Sequence, residues 1–96
     1  GAIANMQDDA MVEVVCELGA NGPRPMSVGN IPQFNLGLLV NQVSCEKLIV
    51  DAYFENSYQK ALEAFTLNRL INDAKKARKV LDALIEANRG MWPELR

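Results

Sequence analysis

The sequence predicts an α+β fold in which a short β-hairpin, or two strands of a larger sheet, is followed by three helices. Two observations carry this prediction. Apolar residues recur at every second position within the first 30 residues, and at helical spacing from residue 31 onward. Because 96 residues suffice for one small domain and not for two, we expect a single domain. It would have an extended portion over residues 1–30 and a helical portion over residues 31–96.

The first predicted strand runs from Met11 to Leu18 and is rich in β-branched residues. The apolar side chains that share its buried face are Val12, Val14, Cys16 and Leu18. The dipeptide Asn21-Gly22 then indicates a turn, and residues 25–28 would form a short return strand. Because proline lacks the amide N–H that a central strand needs, this return strand is expected at a sheet edge.

The first helix is predicted to begin at Ile31, with Asn30 as its N-cap and Pro32 in its first turn, and to reach Phe54. Its apolar surface is broad, because several apolar residues lie off the main stripe: Leu38, Ile49 and Tyr53. A helix that is apolar on most sides needs partners on most sides. We therefore expect it to contact a neighbouring domain or a second subunit, and to mediate homo-oligomerisation.

Asn56, followed three residues later by Gln59, indicates the cap of a second helix that runs to Leu67. The residues that it should bury are Tyr58, Ala61, Leu62 and Phe65. Asn72 or Asp73 would begin a third helix, whose apolar stripe contains Ala77, Val80, Leu81, Leu84 and Ile85.

The chain after the third helix carries stop signals. Gly90 suits the position just past the helix C-terminus, and Pro93 cannot continue a helix. Trp92 lies between them and is expected to fold back over a hydrophobic edge.

Charge and hydropathy argue against several classes of partner. The net charge of −2 provides no bulk attraction to nucleic acid. No apolar run approaches the ~20 residues that a membrane-spanning helix needs, and the first residues lack the basic start and apolar middle of a signal peptide. We therefore predict no nucleic-acid partner, no membrane partner and a cytoplasmic location.

No set of residues converges on an active site. The chain has two cysteines and no histidine, so Cys16 and Cys45 are predicted to be buried, reduced thiols that pack as small apolar residues. Neither the G-x-G-x-x-G pattern nor the P-loop pattern occurs. The carboxylates that might act in acid–base or metal chemistry are interpreted as solvated surface groups: Asp8, Asp9, Glu13, Glu17 and Glu46.

One basic cluster lies on the third predicted helix, opposite its apolar stripe. It consists of Lys75, Lys76, Arg78 and Lys79. A solvent-exposed face explains it best. A phosphate- or RNA-binding patch is the alternative, which the absence of an interleaved aromatic residue for base stacking disfavours.

Four segments occur in the order found at the C-terminal end of family 4 glycoside hydrolases. They are MVEVVC at 11–16, GPRPMSVGNIPQF at 22–34, QVSCEKL at 42–48 and ANRGMWPEL at 87–95. The chain resembles that end of the family from about Gly1 to Leu95. Within the family it is most similar to the 6-phospho-α-glucosidases that cleave maltose 6′-phosphate, and the 6-phospho-β-glucosidases are the nearest alternative.

The resemblance implies a parent enzyme that uses NAD and Mn²⁺ to hydrolyse phosphorylated disaccharides. Such enzymes oxidise the sugar at C3, remove the C2 proton, eliminate the C1 substituent, add water and reduce the ketone again. The metal acts as a Lewis acid.

In the family, the glycine-rich turn, the Cys/His metal pair and the tyrosine base precede the segment seen here. The chain is therefore predicted to bind neither NAD nor Mn²⁺ and to be inactive alone. Its role would be structural, beside the remainder of the parent enzyme.

Asn5 is the one site residue that the resemblance suggests, because the lead-in around it resembles a loop that approaches the substrate cleft of the full enzyme. The alternative for Asn5 is a strand-entry residue that satisfies backbone groups. Two interpretations of the whole chain also stay open. One is a non-enzymatic helical module that binds a protein partner, and the other is a small enzyme that acts alone.

Overall fold

The structure is a computed structural model that describes all residues, Gly1–Arg96. Its elements in chain order are β1 (Cys16–Gly19), β2 (Gly22–Pro25), α1 (Gln33–Glu55), α2 (Tyr58–Leu67) and α3 (Ala74–Ala87). The predicted α+β class, with a two-strand piece followed by three helices, is confirmed. None of the helices has the length and apolar character that crossing a membrane requires.

The chain divides into two compact units. The N-terminal unit comprises Gly1–Val40 and the C-terminal unit comprises Asn41–Arg96. The boundary between them falls within α1.

In the N-terminal unit, β1 and β2 form an antiparallel hairpin that pairs Cys16 with Pro25 and Gly19 with Gly22. Gly22 closes the turn in a left-handed conformation, at φ 94. Every residue of both strands is exposed. The predicted burial of Cys16 and Leu18 is therefore wrong, because a two-stranded ribbon has no second layer to cover either face.

Both strands also differ from their predicted bounds. Residues 2–4 form hydrogen bonds with residues 28–29, which are therefore not available to pair with the first strand. Ile3 forms a parallel bridge with Gly29. The amide of Val28 donates to Ala2 O at 2.9 Å, and the amide of Ala4 donates to Gly29 O at 2.9 Å. The return strand predicted over residues 25–28 is therefore not formed as one strand. The strand that pairs with β1 ends at Pro25, and Val28 pairs with residue Ala2 instead.

Helix α1 begins at Gln33, two residues later than predicted. The carbonyl of Pro32 accepts the amide of Leu36 at 3.0 Å, so Pro32, and not Asn30, occupies the N-cap position. The helix ends at Glu55, where Asn56 adopts a left-handed conformation with φ 55. This conformation suits asparagine better than most other residues.

Side chains cap the other two helices. Ser57 accepts the amide of Lys60 at the start of α2, so the predicted pairing of Asn56 with Gln59 is wrong. Asp73, one of the two residues predicted to begin the third helix, caps α3 and accepts the amide of Lys76 at 2.7 Å.

The core of the C-terminal unit forms where small residues let the helices approach. Ala52, Ala61 and Leu81 make up its fully enclosed centre. Partly buried residues surround this centre: Ile49, Tyr58, Leu62, Phe65, Ile85 and Leu95. The predicted buried face of the second helix is thus confirmed. The apolar stripe of the third helix is buried at Ala77, Leu81 and, in part, Ile85, whereas Val80 and Leu84 are exposed.

The last residues close over the same core. Trp92 lines a small cavity with Ile49 and Ala52. The prediction that Trp92 folds back over a hydrophobic edge is therefore confirmed. The amide of Arg96 donates to Asn56 O at 2.7 Å, and the amide of Tyr58 donates to Arg96 O at 3.0 Å. The C-terminal segment is therefore fixed to the junction between α1 and α2.

Candidate functional site

Asn5 binds the backbone of Ile31 through both ends of its side-chain amide. Its Nδ2 donates to Ile31 O at 3.0 Å, and its Oδ1 accepts the amide of Ile31 at 3.0 Å. The planar side-chain amide thus acts like one more peptide group in the pairing between residues 2–4 and 28–29. These bonds match the alternative predicted for Asn5 from the sequence, a strand-entry residue that hydrogen-bonds to backbone groups. An approach of Asn5 to a substrate cleft stays a prediction.

An open apolar groove with a volume of about 490 Å³ lies in the C-terminal unit between α1, α2 and the loop that follows α2. Its apolar lining residues include Ile49, Val50, Phe65, Leu70 and Ile71. The side-chain amide of Gln42, at the rim, donates to Glu46 at 2.9 Å. Ligand sites for small polar molecules combine an apolar wall with several convergent polar groups. This groove has few polar groups, so it does not have the features of such a site.

Cys45 lines this groove and is buried. Burial raises the pKa of the Cys45 thiol, a backbone hydrogen bond opposes the rise, and the charge of Glu46 adds to it. The thiol is therefore protonated at neutral pH and is a weak nucleophile. Both Cys45 and Cys16 are free cysteines, but only Cys45 is buried as predicted.

Several carboxylates form ion pairs at the surface. Glu17 pairs with Arg24 across the hairpin, and Lys60 lies 3.3 Å from Asp51 and 2.6 Å from Glu55. Exposed pairs of this kind contribute little to stability. No group of three or more Cys, Asp or Glu side chains is arranged to hold a metal ion.

Tyr58 links α2 to α3, because its hydroxyl donates to Asp82 Oδ1 at 2.7 Å. This hydrogen bond, with desolvation as the second cause, raises the pKa of Tyr58 above its ordinary value. A tyrosine that removes a proton from a substrate needs a lowered pKa. The geometry therefore gives Tyr58 a structural contact between α2 and α3. The basic cluster of α3 is a solvent-exposed face, as predicted: Lys75, Lys76, Arg78 and Lys79.

Sequence comparisons show that the chain is similar to part of known glycosidases. Residues 1–71 match the C-terminal domain of family 4 glycosyl hydrolases. Over 95 residues the chain is 52% identical to a maltose-6′-phosphate glucosidase of Clostridium acetobutylicum and 53% identical to one of Bacillus subtilis. These alignments cover 99% of this chain and 22% and 21% of the two relatives.

Two crystal structures adopt the same fold over this segment. One is a 6-phospho-α-glucosidase from gut microorganisms in complex with NAD and Mn²⁺, which is 83% identical with a TM-score of 0.95. The other, in complex with NAD and glucose-6-phosphate, is 51% identical with a TM-score of 0.94. Each match covers 100% of this chain and 22% of the solved chain. The chain thus spans about a fifth of the length of its relatives, and it belongs to glycosyl hydrolase family 4, within the C-terminal domain.

Proposed function

We propose that the chain is the non-catalytic C-terminal segment of a 6-phospho-α-glucosidase that hydrolyses phosphorylated disaccharides such as maltose 6′-phosphate. The observation that carries the proposal is the 83% identity to a 6-phospho-α-glucosidase in complex with NAD and Mn²⁺. Identity also favours the α branch. It is 44% or more to the α-glucosidase relatives, against 37% and 30% to two 6-phospho-β-glucosidases.

The residues of this chain do not fit NAD or Mn²⁺. The sequence has no histidine and no glycine-rich dinucleotide turn, and no cluster of carboxylates and thiols could hold a metal. If the parent enzyme uses both groups, its preceding part must supply their ligands. The whole of residues 1–96 then serves as one segment of the C-terminal domain, in a cytoplasmic enzyme.

The proposed structural role includes homo-oligomerisation through α1. Three large apolar side chains near the C-terminal end of this helix are substantially exposed: Val50 at 54%, Tyr53 at 55% and Phe54 at 77%. A patch of this kind is typical of a protein–protein contact. In the full-length enzyme, Phe54→Asp should lower the mass measured by light scattering, whereas Lys79→Asp on the exposed face of α3 should not. An unchanged mass for Phe54→Asp would remove this part of the proposal.

Enzyme assays test the main proposal. We would measure hydrolysis of p-nitrophenyl-α-glucoside 6-phosphate, with NAD⁺, Mn²⁺ and a reductant, by the 96-residue chain and by the full-length protein. Hydrolysis by the full-length protein alone is the expected result. Hydrolysis by the 96-residue chain would contradict the non-catalytic role.

The second candidate function is that of a 6-phospho-β-glucosidase, and an assay with p-nitrophenyl-β-glucoside 6-phosphate tests it. The 37% identity to a probable 6-phospho-β-glucosidase of Bacillus subtilis supports that candidate. If the full-length protein hydrolyses the β-anomer and leaves the α-anomer intact, the chain belongs to the β-glucosidase branch.

A further inference from the structure

Residues Met11–Val15 have the sequence of a strand but no strand partner. The alternation persists in the structure, since Val12 and Val14 are half-buried while Met11 and Val15 are 86% and 68% exposed. The segment leads directly into β1. Its one backbone hydrogen bond to another part of the chain is at its end, where Val15 O accepts the amide of Met26 at 2.9 Å.

The remainder of this chain offers no partner for the segment. The register that pairs Cys16 with Pro25 would, if continued, place Val28 opposite Glu13 and Gly29 opposite Val12. Both Val28 and Gly29 instead pair with residues 2–4. Gly29 also has φ 68, which breaks an extended strand. The hairpin ladder therefore cannot extend along residues 11–14.

We propose that Met11–Val15 is an interaction edge to which a β-strand from the preceding part of the same polypeptide adds, enlarging the hairpin into a sheet. Strand backbone groups need hydrogen-bond partners once they are covered, and alternating valines are typical of a strand packed within a sheet. The inference rests on the proposed function, because it requires the longer parent chain.

The length of the relatives favours a strand of the same polypeptide. The chain aligns with about a fifth of each relative, in their C-terminal domain, so most of the parent precedes it. A covalently linked strand has an effective concentration on the order of millimolar.

A second copy of this chain is the competing occupant. Antiparallel pairing of two copies over the whole of Met11–Val15 would place the two Glu13 carboxylates directly opposite each other. Like charges in that position destabilise a sheet.

Hydrogen–deuterium exchange of the full-length enzyme tests the proposal. Because successive strand amides point to opposite edges, we expect alternate amides among residues 12–15 to exchange at least about 100-fold more slowly than unprotected amides, and this protection to survive dilution. The turn residues Ala20 and Asn21 serve as the fast control, and α3 serves as the slow control. Rapid exchange of every amide among residues 12–15 would overturn the proposal. Protection that disappears on dilution would also overturn it, in favour of a second copy.

Proline substitutions give a second measurement. Successive strand amides point to opposite edges, so at least one of Glu13→Pro and Val14→Pro removes a ladder hydrogen bond if the strand is paired. At least one variant should therefore lower the Tm of the full-length enzyme, and tolerance of both would contradict the pairing. Because neither exchange nor Tm depends on catalysis, a failed assay of the proposed function leaves this test intact.

Discussion

The two units of the chain differ in how far each completes its own packing. The C-terminal unit contains most of the buried apolar residues: Val43, Cys45, Ala52, Ala61, Ala64, Ala77 and Leu81. The N-terminal unit has Ile3 and Met6. A helix satisfies its backbone within itself, whereas a strand depends on a neighbour that can be distant in sequence. The helical unit therefore approaches completeness within 96 residues, and the strand-bearing unit does not.

The largest expected effect is in the core of the C-terminal unit. Leu81 is fully buried, whereas Leu18 on the hairpin is 83% exposed. In the 96-residue chain, Leu81→Ala should lower the free energy of unfolding by about 2–5 kcal/mol through lost burial and a residual cavity. The matched Leu18→Ala should change it by less than about 0.5 kcal/mol. Urea denaturation, followed by Trp92 fluorescence, measures the free energy of unfolding of both variants. Equal losses in the two variants would contradict the difference in packing between the two units.

In the N-terminal unit, Asn5→Ala should have the next largest effect, because it removes two hydrogen bonds to Ile31. Each such bond contributes about 0.5–1.5 kcal/mol. The expected result is faster exchange of the Ile31 amide, measured by NMR. Asn5→Asp keeps the acceptor for that amide and should retain most of the protection. If Asn5 also approaches the substrate, the full-length Asn5→Ala enzyme should show a raised KM, whereas an unchanged KM would limit Asn5 to the backbone role.

The cap of α3 gives a smaller effect. Asp73→Ala removes the acceptor for the Lys76 amide and should cost about 1 kcal/mol in the free energy of unfolding. Asp73→Asn keeps a capping oxygen and serves as the control. Urea denaturation of the 96-residue chain compares the two, and the capping account fails if Asp73→Ala is as stable as Asp73→Asn.

The smallest effect concerns Tyr58 and depends on pH. The hydrogen bond to Asp82 raises the pKa of Tyr58 in the folded chain above its ordinary value of 10.0. Its stabilisation is therefore fully present below pH 10 and is lost as the pH rises through the raised pKa. Tyr58→Phe should slightly lower the stability at pH 7 and flatten its decline at alkaline pH. Thermal unfolding between pH 7 and 12 tests this, and identical pH profiles would refute it.

The same contrast explains which features could be predicted from the sequence. The apolar spacing around Leu81 and the capping residue Asp73 are local signals, and the structure retains both. The predicted bounds of the hairpin are wrong because residues 2–4 pair with residues 28–29. The predicted burial of Cys16 is wrong because no second layer covers a two-stranded ribbon. Asn5 was a candidate by resemblance, but its contact with Ile31, 26 residues away, has no local sequence signal.

The most direct test compares amide exchange in the 96-residue chain with exchange in the full-length enzyme. We expect α2 and α3 to be protected in both proteins, because their hydrogen bonds and packing lie within the C-terminal unit. Alternate amides among residues 12–15 should be protected in the full-length enzyme alone. Equal protection of residues 12–15 in the two proteins would contradict the claim that the N-terminal unit is completed by the rest of its enzyme.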